Sequence, residues 1–171
     1  MIIDDKQEAL QKSFNYLTSK LAVADPTAEF QVLDFVKDEL GISHLRLQQC
    51  YQGLSVFGQH LIVHIGKDGE VSNITGEYRE GVVGIGTQPR LSNSEAIKIA
   101  CNDFAIEISD VYTAELVIYP EPSSIINYLT YLVTLPLWRD NTPVRLRYFI
   151  DANTGKVIDC YNDRTTATNL L

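Results

Sequence analysis

Residues 41–71 read GISHLRLQQCYQGLSVFGQHLIVHIGKDGEV, and the spacing of their apolar side chains predicts antiparallel strands. Leu45 and Leu47 alternate with polar neighbours, and Leu61 and Val63 resume the same alternation after an interruption. A period of two residues is typical of a strand that buries one face and exposes the other. This stretch therefore predicts the sheet around which the first half of the chain is organised.

Glycines divide this stretch into separate strands. Gly53 ends the first run, and the loop Gly66–Gly69 supplies a hairpin turn. Gly58 interrupts the second run, and an isolated glycine in a strand pattern predicts a bulge or a close approach of another backbone. In the next strand, Val71 and Ile74 have opposite parity, which predicts a bulge or the end of the strand.

Two amphipathic helices are predicted to precede the strands. The first can be capped by Asp4 or Asp5. The second begins with Asp25 as N-cap and proline at the next position, continues to Leu40, and stops at Gly41. The apolar faces of the two helices consist of Leu10, Phe14, Leu17, Leu21, Phe30, Leu33, Val36 and Leu40.

The second half repeats the order of a helix followed by strands. Ser92 and Glu95 form a capping box that predicts the start of a helix. Strands are predicted at residues 113–119, 125–135, 144–151 and 156–161, with a wider loop from Pro136 to Pro143. In the turn between the last two strands, Asp151 is expected to accept local backbone N–H groups and Gly155 to take a positive φ.

These patterns predict an α+β fold made of two small modules, each with helices packed on an antiparallel sheet. The first module covers residues 1–79, a glycine-rich linker covers 80–91, and the second module covers 92–163. Residues 164–171 are predicted to form an extended tail. The glycines of the linker lack the strand-then-helix setting of a phosphate-binding loop, so a nucleotide site is not expected there.

Composition excludes several classes of function. The formal net charge is −8 and no basic stripe is visible, so neither nucleic acid nor an anionic membrane surface is an expected partner. No apolar run approaches the roughly 18 residues of a membrane span. The first residues lack the features of a signal peptide, so the protein is expected to be cytosolic or to have lost a leader.

The three cysteines, Cys50, Cys101 and Cys160, are widely spaced and form no zinc-ligand motif. If any two of them pair, Cys101 and Cys160 are the expected couple, because a helix and a strand of one module could bring them together. Buried, inert thiols are the alternative.

No catalytic constellation is apparent in the sequence. His60 and His64 are separated as in a zinc-protease helix, but they alternate like strand residues, which places them about 13 Å apart. Cys50 with His44 or His60 would be the candidate nucleophilic pair, yet nothing positions them. Trp138 and Arg139 fit either an exposed interface anchor or a tryptophan that caps the core.

Two longer motifs resemble a known family. The segment HLRLQQCYQGLSVFG at 44–58, followed by Val63-His64, resembles the fungalysin/thermolysin propeptide (FTP) module. The segment RYFIDANTGKV at 147–157 resembles the end of the PepSY module that adjoins it, and Ser92 with Glu95 fits the PepSY start. Together the two resemblances extend over most of the chain, from about residue 10 to 163.

The resemblance implies the pro-region of a secreted thermolysin-like zinc metallopeptidase. Such a pro-region assists folding of the catalytic domain and inhibits it until processing. The chain contains no HExxH, so it is expected to be no enzyme and to hold no cofactor, and zinc is expected in the partner catalytic domain, met in cis or in trans. The implied location is extracellular or periplasmic. The alternative is a freestanding FTP/PepSY inhibitor or binding module.

The resemblance also directs attention to the tail, because an inhibitor must place backbone in the active-site cleft. A disordered terminus is the alternative for these residues, and Asn169–Leu170 is one candidate processing junction. The candidate protease-contacting residues are Trp138, Arg139, Arg164, Thr165, Thr166, Ala167, Thr168, Asn169 and Leu170.

Overall fold

A computed structural model describes residues 5–21 and 23–164. The chain forms two compact units, which divide between Val83 and Gly84. Each unit is described by itself below. The tail residues 165–171 lie outside the described part of the chain.

Unit 1 combines one long helix with a four-stranded antiparallel sheet in the order β1-β2-β3-β4. The helix packs on one face of the sheet, where Leu17, Leu45, Leu47 and Val63 are fully buried. The elements of unit 1 are α1 (Asp5–Leu21), α2 (Pro26–Glu29), β1 (Phe30–Lys37), β2 (Ser43–Tyr51), β3 (Leu54–Ile65) and β4 (Val71–Gly76).

The first helix has the predicted apolar face. Leu17 is buried at its centre, and Leu10, Phe14 and Leu21 pack against the same core. The opposing surface consists of Leu45 and Leu47 on β2 and Leu61, Val63 and Ile65 on β3, as the alternation predicts. Periodicities of 3.6 and two residues thus meet in one apolar layer.

The prediction of the second helix is wrong beyond its first turn. Asp25 caps a helix as predicted, accepting the backbone N–H groups of Thr27 and Ala28, but that helix ends at Glu29. The chain continues as β1 and pairs with β2, with a register shift between Val32 and Asp34. The shift places an extra residue in the strand, and the apolar spacing of a bulged strand then imitates a helical one. Leu33, Val36 and Leu40, assigned to the apolar face of the predicted helix, are exposed instead.

Unit 2 places one helix on a four-stranded antiparallel sheet in the order β5-β6-β7-β8. Ala96, Ala100 and Cys101 are the buried residues of the helix, which begins at the predicted capping box of Ser92 and Glu95. The elements of unit 2 are α3 (Asn93–Phe104), β5 (Thr113–Pro120), β6 (Asn127–Arg139), β7 (Thr142–Asp151) and β8 (Val157–Asn162).

The wider loop predicted between Pro136 and Pro143 is wrong. β6 runs on to Arg139, and a two-residue turn with positive φ at Asp140 and Asn141 leads into β7. Two prolines are tolerated in this ribbon because β5 pairs with β6 only as far as Thr134, and β8 pairs with β7 only from Leu146. Near its proline, each of these two strands therefore has an edge that pairs with no other described strand. A missing N–H at that edge breaks no hydrogen bond of the sheet.

The α+β class is confirmed, since both units pack helices on antiparallel strands. Among the described helices, none has the length and apolar character needed to cross a membrane. The three cysteines are all free thiols, so Cys101 and Cys160 form no disulfide.

Gly76 provides a test of the β3–β4 packing. Its φ is 110°, and a Cβ built there would lie 2.1 Å from the carbonyl oxygen of His60. We expect Gly76→Ala to lower the free energy of unfolding by about 3 kcal/mol or more, because backbone strain and a clash add together. Urea denaturation followed by circular dichroism measures the loss.

The matched control is Gly53→Ala. Gly53 also has a positive φ, 84°, but nothing lies within 4 Å of its built Cβ. We expect this variant to lose only about 1–2 kcal/mol, from strain alone. Equal losses in the two variants would contradict the close approach at Gly76.

Candidate functional site

The middle of the FTP-like motif builds an irregularity between β2 and β3. Gln48 pairs with His60, yet Cys50 pairs with Ser55, so residues 56–59 of β3 bulge away from β2. Gly58 lies in this bulge with a φ of 73°, as its isolated position in the sequence predicts. A bulge leaves backbone carbonyls without ladder partners, and buried carbonyls need other donors.

The buried side chain of Gln48 supplies those donors. Its Nε2 donates to the carbonyl oxygens of Gln49 at 2.7 Å, Val56 at 2.8 Å and Gln59 at 3.1 Å. A glutamine amide carries two N–H groups, and here three carbonyls converge on them. Gln48 thus closes the bulge from within and takes the place of the missing ladder bonds.

The neighbouring Gln49 ties down the chain that follows β4. Its Nε2 donates to the Arg79 carbonyl at 2.8 Å, and the Arg79 backbone N–H donates to its Oε1 at 2.9 Å. The amide therefore bonds the backbone as a second strand would. Next to this contact, the Tyr78 hydroxyl donates to Glu29 at 3.0 Å, and burial together with that carboxylate raises the pKa of Tyr78.

The candidate nucleophilic pair is not formed. Both ring nitrogens of His44 have other partners, Asp38 and His64, and Cys50 Sγ donates to the Gln48 carbonyl at 3.7 Å. Burial raises the pKa of the Cys50 thiol, which opposes formation of the reactive thiolate. Within residues 5–21 and 23–164, no group of three His, Cys, Asp or Glu side chains could hold a metal ion.

One end of unit 2 brings together several features that the sequence singles out. We call it the exit end and define it as the β6–β7 hairpin from Pro136 to Pro143 together with Asn162–Arg164. The hairpin projects beyond β5, and Trp138 near its tip is 78% exposed. The loop that leads into β5 lies at this same end and exposes Ile108 and Val111.

The chain leaves β8 along the side of this hairpin. β8 runs antiparallel to β7, and the Asp163 backbone N–H donates to the Arg145 carbonyl at 3.0 Å, one step nearer the tip than the last strand pair. Asn162 Oδ1 accepts the backbone N–H groups of Arg145 and Arg164, each at 3.1 Å. The last described residues, up to Arg164, are therefore held beside the hairpin.

Two arginines of β7 form ion pairs with Asp163, an arrangement that we call the clamp on Asp163. Arg145 Nε donates to Asp163 Oδ1 at 2.6 Å, and an Arg147 guanidinium nitrogen lies 3.6 Å from Asp163 Oδ2. The Asp163 side chain is only 17% exposed, so this pair is partly shielded from solvent. The Arg147 Nε atom is buried without a hydrogen-bond partner among the described residues.

The structure thus places Trp138, Arg139 and Arg164 together at the exit end, all exposed. Thr165–Leu170 lie outside the described residues. At the turn between β7 and β8, Asp151 Oδ1 accepts the backbone N–H groups of Asn153 and Thr154, and Gly155 has a φ of 75°.

Sequence reasoning missed the clamp on Asp163 and the internal roles of the two glutamines. Two basic residues one alternation apart, Arg145 and Arg147, with an acid just after the next strand, were the available signal for the clamp. The adjacent glutamines stood in the motif itself, but only the bulge gives them a reason to be buried.

Comparison with known families matches residues 28–78 to the Fungalysin/Thermolysin Propeptide Motif, FTP. Residues 28–78 are an FTP module. The match contains β1–β4, the bulge and both buried glutamines. The resemblance to a pro-region of thermolysin-like peptidases is confirmed for this segment, and the PepSY resemblance of unit 2 stays a prediction.

Similarity to named proteases extends through both units. Bacillolysin of Brevibacillus brevis is 32% identical over 151 residues, which cover 81% of this chain and 28% of that protein. Bacillolysin of Bacillus cereus is 26% identical over 165 residues, 91% of this chain and 29% of that protein. Thermolysin of Alicyclobacillus acidocaldarius is 33% identical over 141 residues, 76% of this chain and 25% of that protein.

The chain thus spans between a quarter and a third of the length of these relatives. Among solved structures, the Bacillus megaterium YpeB C-terminal domain aligns with 91% of this chain and 64% of its own, at 13% identity and a TM-score of 0.44.

The role of Gln48 can be measured directly. We expect Gln48→Met, which keeps the side-chain volume but removes the donors, to lower the free energy of unfolding by about 2–4 kcal/mol, because buried carbonyls lose their partners. Gln31→Met, at an exposed position of β1, is the control and is expected to change stability by less than about 0.5 kcal/mol. Similar losses in both variants would refute the donor role.

Proposed function

We propose that this chain is the non-catalytic pro-region of a thermolysin-like zinc metalloprotease, which it helps to fold and inhibits until processing. The observation that carries the proposal is similarity to bacillolysin through 91% of this chain, in which residues 28–78 are an FTP module. The chain would meet the catalytic domain in cis, as part of one precursor, or in trans. Its place of action would be outside the cell or in the periplasm.

The chemistry of the described residues supports a binding role. Burial raises the pKa values of the Cys50 and Cys101 thiols, and His44 is tied to two partners. A hydrolase needs an activated nucleophile or a metal-bound water with a positioned base. Catalysis is therefore assigned to the partner domain, which would hold the zinc.

A folding role requires only preferential binding. A pro-region that binds the native catalytic domain, and binds its unfolded chain poorly, shifts the folding equilibrium by mass action. Linkage in one precursor makes that binding intramolecular, with an effective concentration on the order of mM. The two units described here form compact folds with their own apolar cores, so they can present a preformed surface to the partner.

The exit end supports an inhibitory role. A large exposed aromatic residue, Trp138, stands beside the point where the chain leaves β8, and aromatic and arginine residues are enriched among interface anchors. The clamp on Asp163 holds the chain in place just before the tail. Fixing that point reduces the conformational entropy that the tail would lose on binding. We therefore assign protease contact to Trp138, Arg139, Arg164 and the residues that follow.

Inhibition in trans tests this assignment. Trp138→Ala is expected to raise the inhibition constant against mature bacillolysin of Brevibacillus brevis about tenfold or more, while stability changes little because the side chain is exposed. Ile125→Ala is the control, since Ile125 is also a large exposed apolar residue but lies in the β5–β6 turn at the opposite end of the sheet. A steady-state protease assay with increasing amounts of the chain gives both constants.

Undiminished protease activity at a large molar excess of the unmodified chain would count against the inhibitory role altogether. Equal effects of the two substitutions would instead place the contact elsewhere on the chain. The reading frame supplies an independent check, since an HExxH-bearing domain encoded downstream supports the role in cis.

Shortening the chain tests the part played by the tail. Removal of residues 165–171 is expected to weaken inhibition by about tenfold or more, because extended backbone in the cleft is lost. Asp163→Asn, which keeps the tail but weakens the clamp, is expected to give a smaller loss. Full inhibition by the shortened chain would contradict a role for these residues.

A further inference from the structure

The face of the unit 1 sheet opposite α1 brings two of the three histidines together. His44 and His64 are directly opposite each other in the β2–β3 register. Their Nδ1 atoms lie 2.9 Å apart, within hydrogen-bond distance, and their ring centroids lie 5.0 Å apart with the rings nearly perpendicular. The two rings therefore approach each other through their Nδ1 atoms, which share one hydrogen bond.

The outer nitrogens of the pair also have partners. His44 Nε2 lies 3.1 Å from Asp38 Oδ2, and His64 Nε2 lies 2.9 Å from the Thr75 hydroxyl. A carboxylate can only accept, so His44 donates from Nε2 and accepts at Nδ1 when neutral. His64 must then donate from Nδ1 and accept the Thr75 proton at Nε2. Every nitrogen is satisfied in this one arrangement.

Asp38 is held in place independently of the histidines. Its Oδ1 accepts the backbone N–H groups of Leu40 and Ile42, each at 2.9 Å, in the turn between β1 and β2. Oδ2 is thereby aimed at His44. The hydrogen bond from His44, followed by those from the backbone, holds the pKa of Asp38 below its ordinary value. The chain of contacts thus has a fixed anionic end.

We propose that the chain Asp38–His44–His64–Thr75 is an acid-sensitive lock on the sheet of unit 1. The pair can hold one added proton, because His64 Nε2–H can donate to the Thr75 oxygen while the bond between the rings survives. A second proton places an N–H on both Nδ1 atoms, so the rings repel and the contact breaks. This proposal does not depend on the pro-region role.

The charges around the pair match one added proton. Asp38 in the turn and Asp34 on β1 are the negative groups beside the pair, and Arg46 on β2 is the positive group in the same pocket. The remaining neighbours are neutral: Val36 on β1, Ile62 on β3, and Asn73 and Thr75 on β4. One proton on the pair balances the nearest carboxylate, whereas two leave an excess of positive charge.

The direction of the pH dependence follows from counting protons. In the unfolded chain each histidine takes a proton independently below about pH 6.5. The folded pair retains its bond with at most one added proton, so below this pH the unfolded state binds more protons and stability falls as the pH falls. When the unfolded state binds one proton more than the folded state, the equilibrium constant for opening rises by up to about tenfold for each unit by which the pH falls. Asp38 adds to this loss of stability only near pH 4 and below, where aspartate in the unfolded chain takes up its proton.

Hydrogen exchange of the whole chain, read by mass spectrometry, measures opening of each unit separately. After correction for intrinsic exchange, amides of β2 and β3 are expected to open about 10- to 100-fold more often at pH 4.5 than at pH 6.5. Peptides from β6 and β7 in the same sample serve as the internal reference. His44→Gln and His64→Gln are expected to remove most of this dependence, and His60→Gln, an exposed histidine on β3, to leave it unchanged.

Imidazole nitrogen NMR on the unsubstituted chain gives a second reading that needs no variant. Because the chain has three histidines, each signal can be assigned. We expect His44 as the Nε2–H tautomer and His64 as the Nδ1–H tautomer at pH 7.5, with their two protons taken up in separate steps. Identical tautomers, or protons taken up independently by the two paired rings, would overturn the lock.

An equal slope in the His60→Gln and His64→Gln variants would overturn the lock as well. A saturable shift of both paired signals on addition of equimolar zinc would replace it with a metal-holding pair, in which the rings must turn to place both nitrogens about 2 Å from the ion.

Discussion

The bulge between β2 and β3, closed by the side chain of Gln48, is the constraint on which unit 1 depends. It inserts extra residues into β3 without leaving buried carbonyls unpaired, since one amide bonds three of them. An unsatisfied buried carbonyl costs about 1–3 kcal/mol, a large share of the stability of a small unit. In this FTP module, Gly58 thus permits the bulge and the Gln48 side chain bonds its carbonyls.

Beyond the bulge, strand parity assigns every side chain of β2 and β3 to one of two faces. Leu45, Leu47 and Val63 turn to α1 and build the core, whereas His44 and His64 turn to the other face. A slip of one residue would exchange the two sets and bury the histidines. The same register that makes the core thus also brings the two imidazoles into contact.

The sequence predicted what depends on local periodicity and missed what depends on pairing. Leu17 on α1 and the capping box at Ser92 follow from neighbours in the chain, and both are observed. The apolar spacing after Glu29 predicts a helix because a bulge near Leu33 changes the period of the strand, and only its pairing with β2 identifies it as a strand. His44 and His64 are 20 residues apart, and only the register makes them neighbours.

The candidate protease-contacting end of unit 2 follows from the same logic of register. β6 and β7 extend beyond β5 and β8, so their ends form a two-stranded ribbon that carries Trp138. Because β8 runs antiparallel to β7, it leads the chain back to that ribbon. Had β8 continued in the opposite sense, the residues after Arg164 would leave from the end that holds the Asp151 turn. The partly shielded ion pair between Arg145 and Asp163 then holds the residue that follows β8 against β7. Topology, more than any single side chain, therefore brings the end of β8 next to the ribbon that carries Trp138.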